Sequence, residues 1–129
     1  MNTLWIGVGG AIGSIARYWT GIWAARLLGV DFPWGTLAVN VVGSFIIGFT
    51  ATLTLAEGPL PASATMRAFI MAGFCGGYTT FSAFSLQSWD LFRAGQWLPA
   101  AVNIVASVTL CLAMVAAGHL LAMRLGIRA

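Results

Sequence analysis

The chain has 129 residues, of which 60% are hydrophobic and only 7% are charged. That composition excludes an ordinary soluble domain and is typical of a protein that crosses a membrane several times. The net charge of +3 comes from isolated arginines without a single lysine, and no basic cluster suggests nucleic acid as a partner. We predict an all-α membrane protein in which residues 1–129 form a single domain.

Four apolar segments are long enough to cross a bilayer, and short polar or Pro-Gly stretches separate them. The first segment lacks the basic start of a secretory signal peptide and is too long for one, so we interpret it as a retained helix. The segments predict transmembrane helices at about 4–28, 34–55, 65–92 and 98–123.

The first segment places Gly9, Gly13 and Gly21 at the spacing of one helix face, and Arg17 lies on that same face. Faces of small residues allow two helices to approach closely inside a bilayer. An arginine inside a membrane is costly, so Arg17 either faces a cavity or partner or extends its charge towards the interface.

The second and fourth segments each carry an asparagine followed four residues later by a serine. The pairs are Asn40 with Ser44 and Asn103 with Ser107. Residues four apart share a helix face, so each pair predicts a polar stripe. Such a stripe either links helices by hydrogen bonds or offers neutral donors to a passing solute.

The third segment contains the strongest helix-weakening sequence in the chain. Gly76 and Gly77 remove two side chains, and the β-branched Thr79 and Thr80 follow at once, each lowering helix propensity. We predict a break at Gly76 to Thr79, near the middle of the segment. Inside a bilayer, backbone outside a helix needs protein or a polar cavity to satisfy it.

A broken membrane helix has a chemical use, because its freed carbonyls can hold a cation and its half-helix ends can face an anion. Phe81 and Phe84 follow three residues apart and therefore share a face just after the break. The alternative is a kinked helix whose glycines serve packing and whose phenylalanines face lipid.

The arginines near the span ends show almost no bias between the two sides of the predicted bundle. Three fall on the side of the N-terminus and two on the other, which is too even to fix an orientation. We therefore predict insertion in both orientations and an antiparallel homodimer. The arginines counted are Arg67, Arg124 and Arg128 against Arg26 and Arg93.

Two motifs in this chain resemble those of the small fluoride channels called Fluc or CrcB. One runs from Gly35 to Asn40 with Gly43 after it, and the other is the stretch from Gly73 to Phe84; the first helix from Gly9 to Arg17 is similar too. The resemblance covers all four segments. It implies a passive fluoride channel of the plasma (inner) membrane, not an enzyme, that assembles as an antiparallel dimer with two pores and a structural sodium ion.

The resemblance also implies roles for single residues. By motif position, the backbone carbonyls of Gly76 and Thr79 would bind the sodium at the subunit interface. Asn40, Phe81 and Phe84 match pore residues of that family. Together with the polar stripes, the candidate fluoride path comprises Arg17, Asn40, Ser44, Thr80, Phe81, Phe84, Asn103 and Ser107.

A small four-helix multidrug-resistance exporter is the main alternative, since such proteins also insert in both orientations. An exporter of that kind needs a carboxylate inside the membrane to exchange protons for a cationic drug. Here Asp31, Glu57 and Asp90 all fall at the ends of the predicted spans or between them. The acids therefore favour the channel over the exporter.

Overall fold

A computed structural model describes residues 2–55, 58 and 60–126. Glu57 and Arg128, used in the predictions above, lie outside the described residues. Within the described part every regular element is helical, and the long helices agree with the predicted bounds to within one turn. The elements are α1 (Asn2–Leu28), α2 (Trp34–Leu53), α3 (Ala64–Arg67), a π-helical segment (Ala68–Cys75), α4 (Gly76–Tyr78), α5 (Phe81–Arg93) and α6 (Trp97–Gly126).

Among the described residues, three helical stretches are long and apolar enough to cross a membrane: Trp34–Leu53, the broken span Ala64–Arg93, and Trp97–Gly126. The first helix, α1, has the length to do so at 27 residues. It is not one of the three, because its glycines and Arg17 lower its mean hydropathy. The chain is thus an all-α, multi-pass membrane protein.

The helices run alternately up and down, as consecutive long helices joined by short loops require. At one end, the Thr65 hydroxyl donates to the Asn2 side chain over 2.8 Å, and Thr52 Oγ1 lies 2.8 Å from His119 Nδ1. At the other end, the loop containing Asp31 shares a cleft with the loop after α5. The start of α1, the end of α2, the start of the broken span and the last part of α6 therefore lie at the same end.

Glycines line two close helix contacts in the bundle. A β-carbon on Gly9 of α1 would lie 2.9 Å from the backbone nitrogen of Phe74, and one on Gly13 would overlap the same segment. In the other contact, β-carbons on Gly48 of α2 and Gly118 of α6 would each overlap the facing helix backbone. As the first segment predicted, small residues allow these backbones to touch.

The broken span differs from the prediction in two respects. Gly76 and Gly77 remain helical as α4, and the extended residues are Thr79 and Thr80 instead. The glycine at 77 serves packing, because a β-carbon there would overlap the Gly10 carbonyl oxygen of α1. The break thus falls about one turn later than Gly76, and a π-helix precedes it that propensity alone does not indicate.

Candidate functional site

The break separates α4 from α5 by two extended residues. Thr79 has φ −84° and ψ 161°, and Thr80 has φ −154° and ψ 112°. The Thr80 hydroxyl accepts a hydrogen bond of 3.1 Å from the Ala83 amide and so caps the start of α5. A threonine cap satisfies one of the free amides with which every helix begins. The second half of the span therefore starts as a properly capped helix.

Asn40 of α2 supplies the partners that Thr80 loses by leaving the helix. Its Nδ2 donates to the Thr80 carbonyl oxygen over 3.0 Å, and its Oδ1 accepts from the Thr80 amide over 2.7 Å. One side-chain amide thus pairs with both backbone groups of the same residue. The other N–H of the Asn40 amide group is not needed for this pair and remains available to a ligand.

Arg17 of α1 reaches the break from the opposite side. Its Nη1 donates to the Thr79 carbonyl oxygen over 3.2 Å. The side chain lines a separate cavity of about 220 Å³, which Thr36 and Thr80 also line. Arg17 therefore bonds the backbone at the break rather than extending to the interface, and it does not line the main groove described next.

A groove of about 350 Å³ runs along the break between α2, the broken span and α6. It collects six of the eight residues of the predicted fluoride path, together with both predicted sodium ligands. Arg17 and Asn103 are the two that do not line it. The lining residues are Asn40, Gly43, Ser44, Ile47, Met71, Cys75, Gly76, Thr79, Thr80, Phe81, Phe84, Ser107, Val108 and Cys111, none of them charged.

The two phenylalanines lie side by side but in different environments. Their ring centroids are 5.3 Å apart at an interplanar angle of 50°. Phe84 is buried, with 8% of its surface exposed, whereas Phe81 exposes 78%. Phe84 therefore forms a fixed wall of the groove, and Phe81 stands on an open edge.

Asn103 lies behind the groove wall and is completely buried. Its Nδ2 donates to Ser88 Oγ over 2.9 Å, and Ser88 Oγ donates to the Phe84 carbonyl oxygen over 2.8 Å. Ser107 Oγ is 3.5 Å from Asn103 Oδ1. Asn103 thus connects the polar stripe of α6 to the backbone of α5.

Ser88 was missed by the sequence analysis, although a signal for it exists. Phe84 and Ser88 are four residues apart on α5 and therefore share one face of it. Cys75, Cys111 and Met71 were likewise not assigned to the groove. Their apolar character resembles that of any residue in a membrane helix, so no local pattern marks them.

The break changes the hydrogen bonding around the two carbonyls proposed to bind sodium. In a continuous α-helix the Thr79 amide donates to the Cys75 carbonyl and the Thr80 amide to the Gly76 carbonyl. Here the first of these bonds is kept, but the Thr80 amide donates to Asn40 instead. The Gly76 carbonyl thus loses its ordinary donor, and an oxygen of this kind suits a hard cation. None of the described residues that line the groove is charged, so the oxygens available there are neutral.

The acids that the structure describes lie away from this groove. Asp31 is in the loop before α2, and Asp90 is in the last turn of α5. Both line a different cleft at one end of the bundle. The groove therefore offers neutral donors, aromatic rings and backbone oxygens to a solute, and no carboxylate that would exchange protons or repel an anion.

These features can be set beside known proteins. Residues 4–119 match the family model described as CrcB-like protein, Camphor Resistance (CrcB). The chain therefore belongs to the CrcB family.

Curated relatives agree with this assignment. A protein from Gluconobacter oxydans (strain 621H) is 55% identical over 116 residues, which are 89% of this chain and 80% of that one. One from Opitutus terrae is 53% identical over 122 residues, or 95% of this chain and 92% of its own. Both are named Fluoride-specific ion channel FluC.

Proposed function

We propose that the protein is a fluoride-selective channel through which fluoride leaves the cell passively. The observation that carries the proposal is the groove at the break, which combines neutral donors with two aromatic rings and no acid. The names of the relatives, fluoride-specific ion channels, point to the same solute. The family match and the names of these relatives support a channel rather than an enzyme.

Fluoride holds its water strongly, so a selective path has to replace that water with donors. Along the groove the free N–H of Asn40 and the hydroxyls of Ser44 and Ser107 can take this role. Phe81 and Phe84 can direct ring edges, the positive part of the aromatic quadrupole, at the anion. Ring contacts are weak singly, so we assign them a role beside the polar donors.

We further propose that α1 is a fourth span and that two copies assemble antiparallel in the inner membrane, with one pore from each. Phe81 exposes most of its ring, and Gly76 is exposed beside the same groove. One copy therefore leaves the groove open along an edge that a second copy would close. The even spread of arginines over the two sides supports insertion in both orientations.

A structural sodium ion would join the two copies through the carbonyls of Gly76 and Thr79. The freed Gly76 carbonyl supports this assignment. The Thr79 carbonyl already accepts from Arg17, but a carbonyl oxygen has a second lone pair. Because the nearby guanidinium charge opposes a cation, oxygens from both copies are needed to hold it.

The test is fluoride efflux from liposomes that contain the purified protein, with chloride efflux as the control. We expect fluoride to leave and chloride to stay. Equal loss of both anions, or loss of neither, would contradict the proposed function.

The assembly has its own test. A reporter fused to the C-terminus should be found on both sides of the membrane in the unaltered protein. Detection on one side only would rule out insertion in both orientations, whatever the efflux experiment shows.

A further inference from the structure

Three sulfur-bearing side chains line the groove, and the proposed fluoride path uses none of them. They are Met71 and Cys75 of the π-helical segment and Cys111 of α6. Both cysteines are free thiols. From this arrangement we propose that the groove contains a binding site for a soft monovalent metal cation of the copper(I) or silver(I) type.

The three sulfurs come from the two walls that face each other across the groove. Met71 and Cys75 are four residues apart on the broken span, and Cys111 lies one helical turn beyond Ser107 on the opposite wall. Cys75 is 2% exposed, so its thiol is held in place by packing. A cation in the groove can therefore be approached by sulfur from both sides.

The chemistry of the lining selects the metal class. Thiolate and thioether ligands favour soft cations such as copper(I) over magnesium, calcium or manganese, which take oxygen ligands. The groove contains no carboxylate and no histidine, so zinc would find only two of its usual ligands. When a cation binds, each cysteine that ligates it releases its thiol proton to water, since the thiolate is the ligand.

Occupation of this site would obstruct the groove, because the sulfurs and the Phe84 ring line the same volume of about 350 Å³. A bound soft cation should therefore block fluoride movement. This consequence rests on the proposed function, whereas the binding site itself rests only on the three sulfurs.

Binding is tested first, on purified protein in detergent and nitrate buffer, by calorimetric titration with silver nitrate. Loss of an outer-shell partner alone lowers metal affinity about ten- to a hundredfold, so Cys111→Ser should weaken silver binding at least as much. Met71→Leu should weaken it too. Met66→Leu, at an exposed methionine outside the groove, is the matched control and should bind like the unaltered protein.

Equal silver affinity in Cys111→Ser and the unaltered protein would overturn the site. Cys75→Ser is the second variant, since it removes a sulfur from the other wall, and each variant is first checked for a normal helical spectrum and a single elution peak. Equal affinity in both correctly folded serine variants would overturn it likewise.

Block is tested second, by fluoride efflux with and without silver, each variant compared with its own rate in the absence of silver. Silver should stop efflux through the unaltered protein and leave most of it in Cys111→Ser. Efflux that resists silver in the unaltered protein would overturn the blocking role. A protein that binds silver but passes no fluoride at all would overturn the proposed function and leave the metal site standing.

Discussion

The broken span and α6 border the same groove, but they offer it different chemical groups. In α6 the backbone stays in one helix of 30 residues, and polar side chains such as Ser107 face the groove. In the broken span the backbone itself is released at Thr79 and Thr80, and side chains from other helices satisfy it. Asn40 and Arg17 are those side chains.

The two walls of the groove differ in how much they depend on neighbouring helices. The polar stripe of α6 needs only its own helix and Ser88 of α5. The break needs α2 and α1 for its hydrogen bonds and α1 also for its packing at Gly77. A change in a neighbouring helix should therefore disturb the break more than it disturbs α6.

Asn40→Ala should have the largest effect on stability and on fluoride efflux. It leaves both the amide and the carbonyl of buried Thr80 without their partner, at about 1–3 kcal/mol for each unsatisfied group. The matched change in the α6 stripe is Asn103→Ala. It should cost less, because Ser88 still donates to Phe84.

The measurement is thermal unfolding of both variants in one detergent, followed by fluoride efflux. Asn40→Ala should unfold at the lower temperature and lose most of its flux. An Asn103 variant that proved the less stable of the two would contradict the greater dependence on neighbouring helices assigned to the break.

Adjacent glycines provide the second contrast. A β-carbon at Gly77 would overlap the Gly10 carbonyl, whereas one at Gly76 would meet nothing within 4 Å. Overpacking of this kind typically costs about 1–3 kcal/mol. Gly77→Ala should therefore lower the unfolding temperature, and Gly76→Ala should leave the single chain's packing intact.

The yield of dimer is measured as well, because Gly76 is exposed at the proposed contact between copies. Gel filtration of Gly76→Ala would detect a loss of assembly with the helices intact. Similar unfolding temperatures for both glycine variants would contradict the packing assigned to Gly77.

The smallest expected effect on stability is at the two phenylalanines. Phe84→Ile changes a buried ring and should cost about 1 kcal/mol, within the range for hydrophobic swaps of similar volume. Phe81→Ile changes an exposed ring and should leave stability nearly unaltered. Both should reduce fluoride efflux, because both remove an aromatic edge from the groove.

Efflux and unfolding are measured on the same preparations of the two isoleucine variants. Unchanged flux in both would mean that the rings only pack or face lipid, which is the alternative that the sequence left open.

Much of the fold followed from local sequence. The helices and their ends were predicted from apolar length and Pro-Gly stretches, and the existence of a break from Gly76-Gly77 and Thr79-Thr80. The predicted range, Gly76 to Thr79, begins three residues before the observed break and overlaps it at Thr79. Propensity treats a glycine as a weak point, whereas Gly77 is helical and is required by the contact with Gly10, 67 residues away.

Only part of the candidate site could be predicted from the sequence, because the rest depends on contacts between residues far apart in the chain. The four-residue spacing of Asn40 with Ser44 indicated a polar stripe, and both residues line the groove. The double hydrogen bond of Asn40 to Thr80 joins residues 40 apart in sequence, so no local pattern predicts it. The π-helix and the sulfurs of the groove depend on packing in the same way.

The central claim is that fluoride passes through the groove at the break. Ser44 lines that groove from α2 and can be replaced by Asn or Asp, which have nearly the same size but differ in charge. We expect liposomes with Ser44→Asn to release fluoride and liposomes with Ser44→Asp to retain it at neutral pH, because a carboxylate in the groove repels an anion. Equal fluoride efflux through correctly folded Ser44→Asp and Ser44→Asn would place the path elsewhere in the molecule.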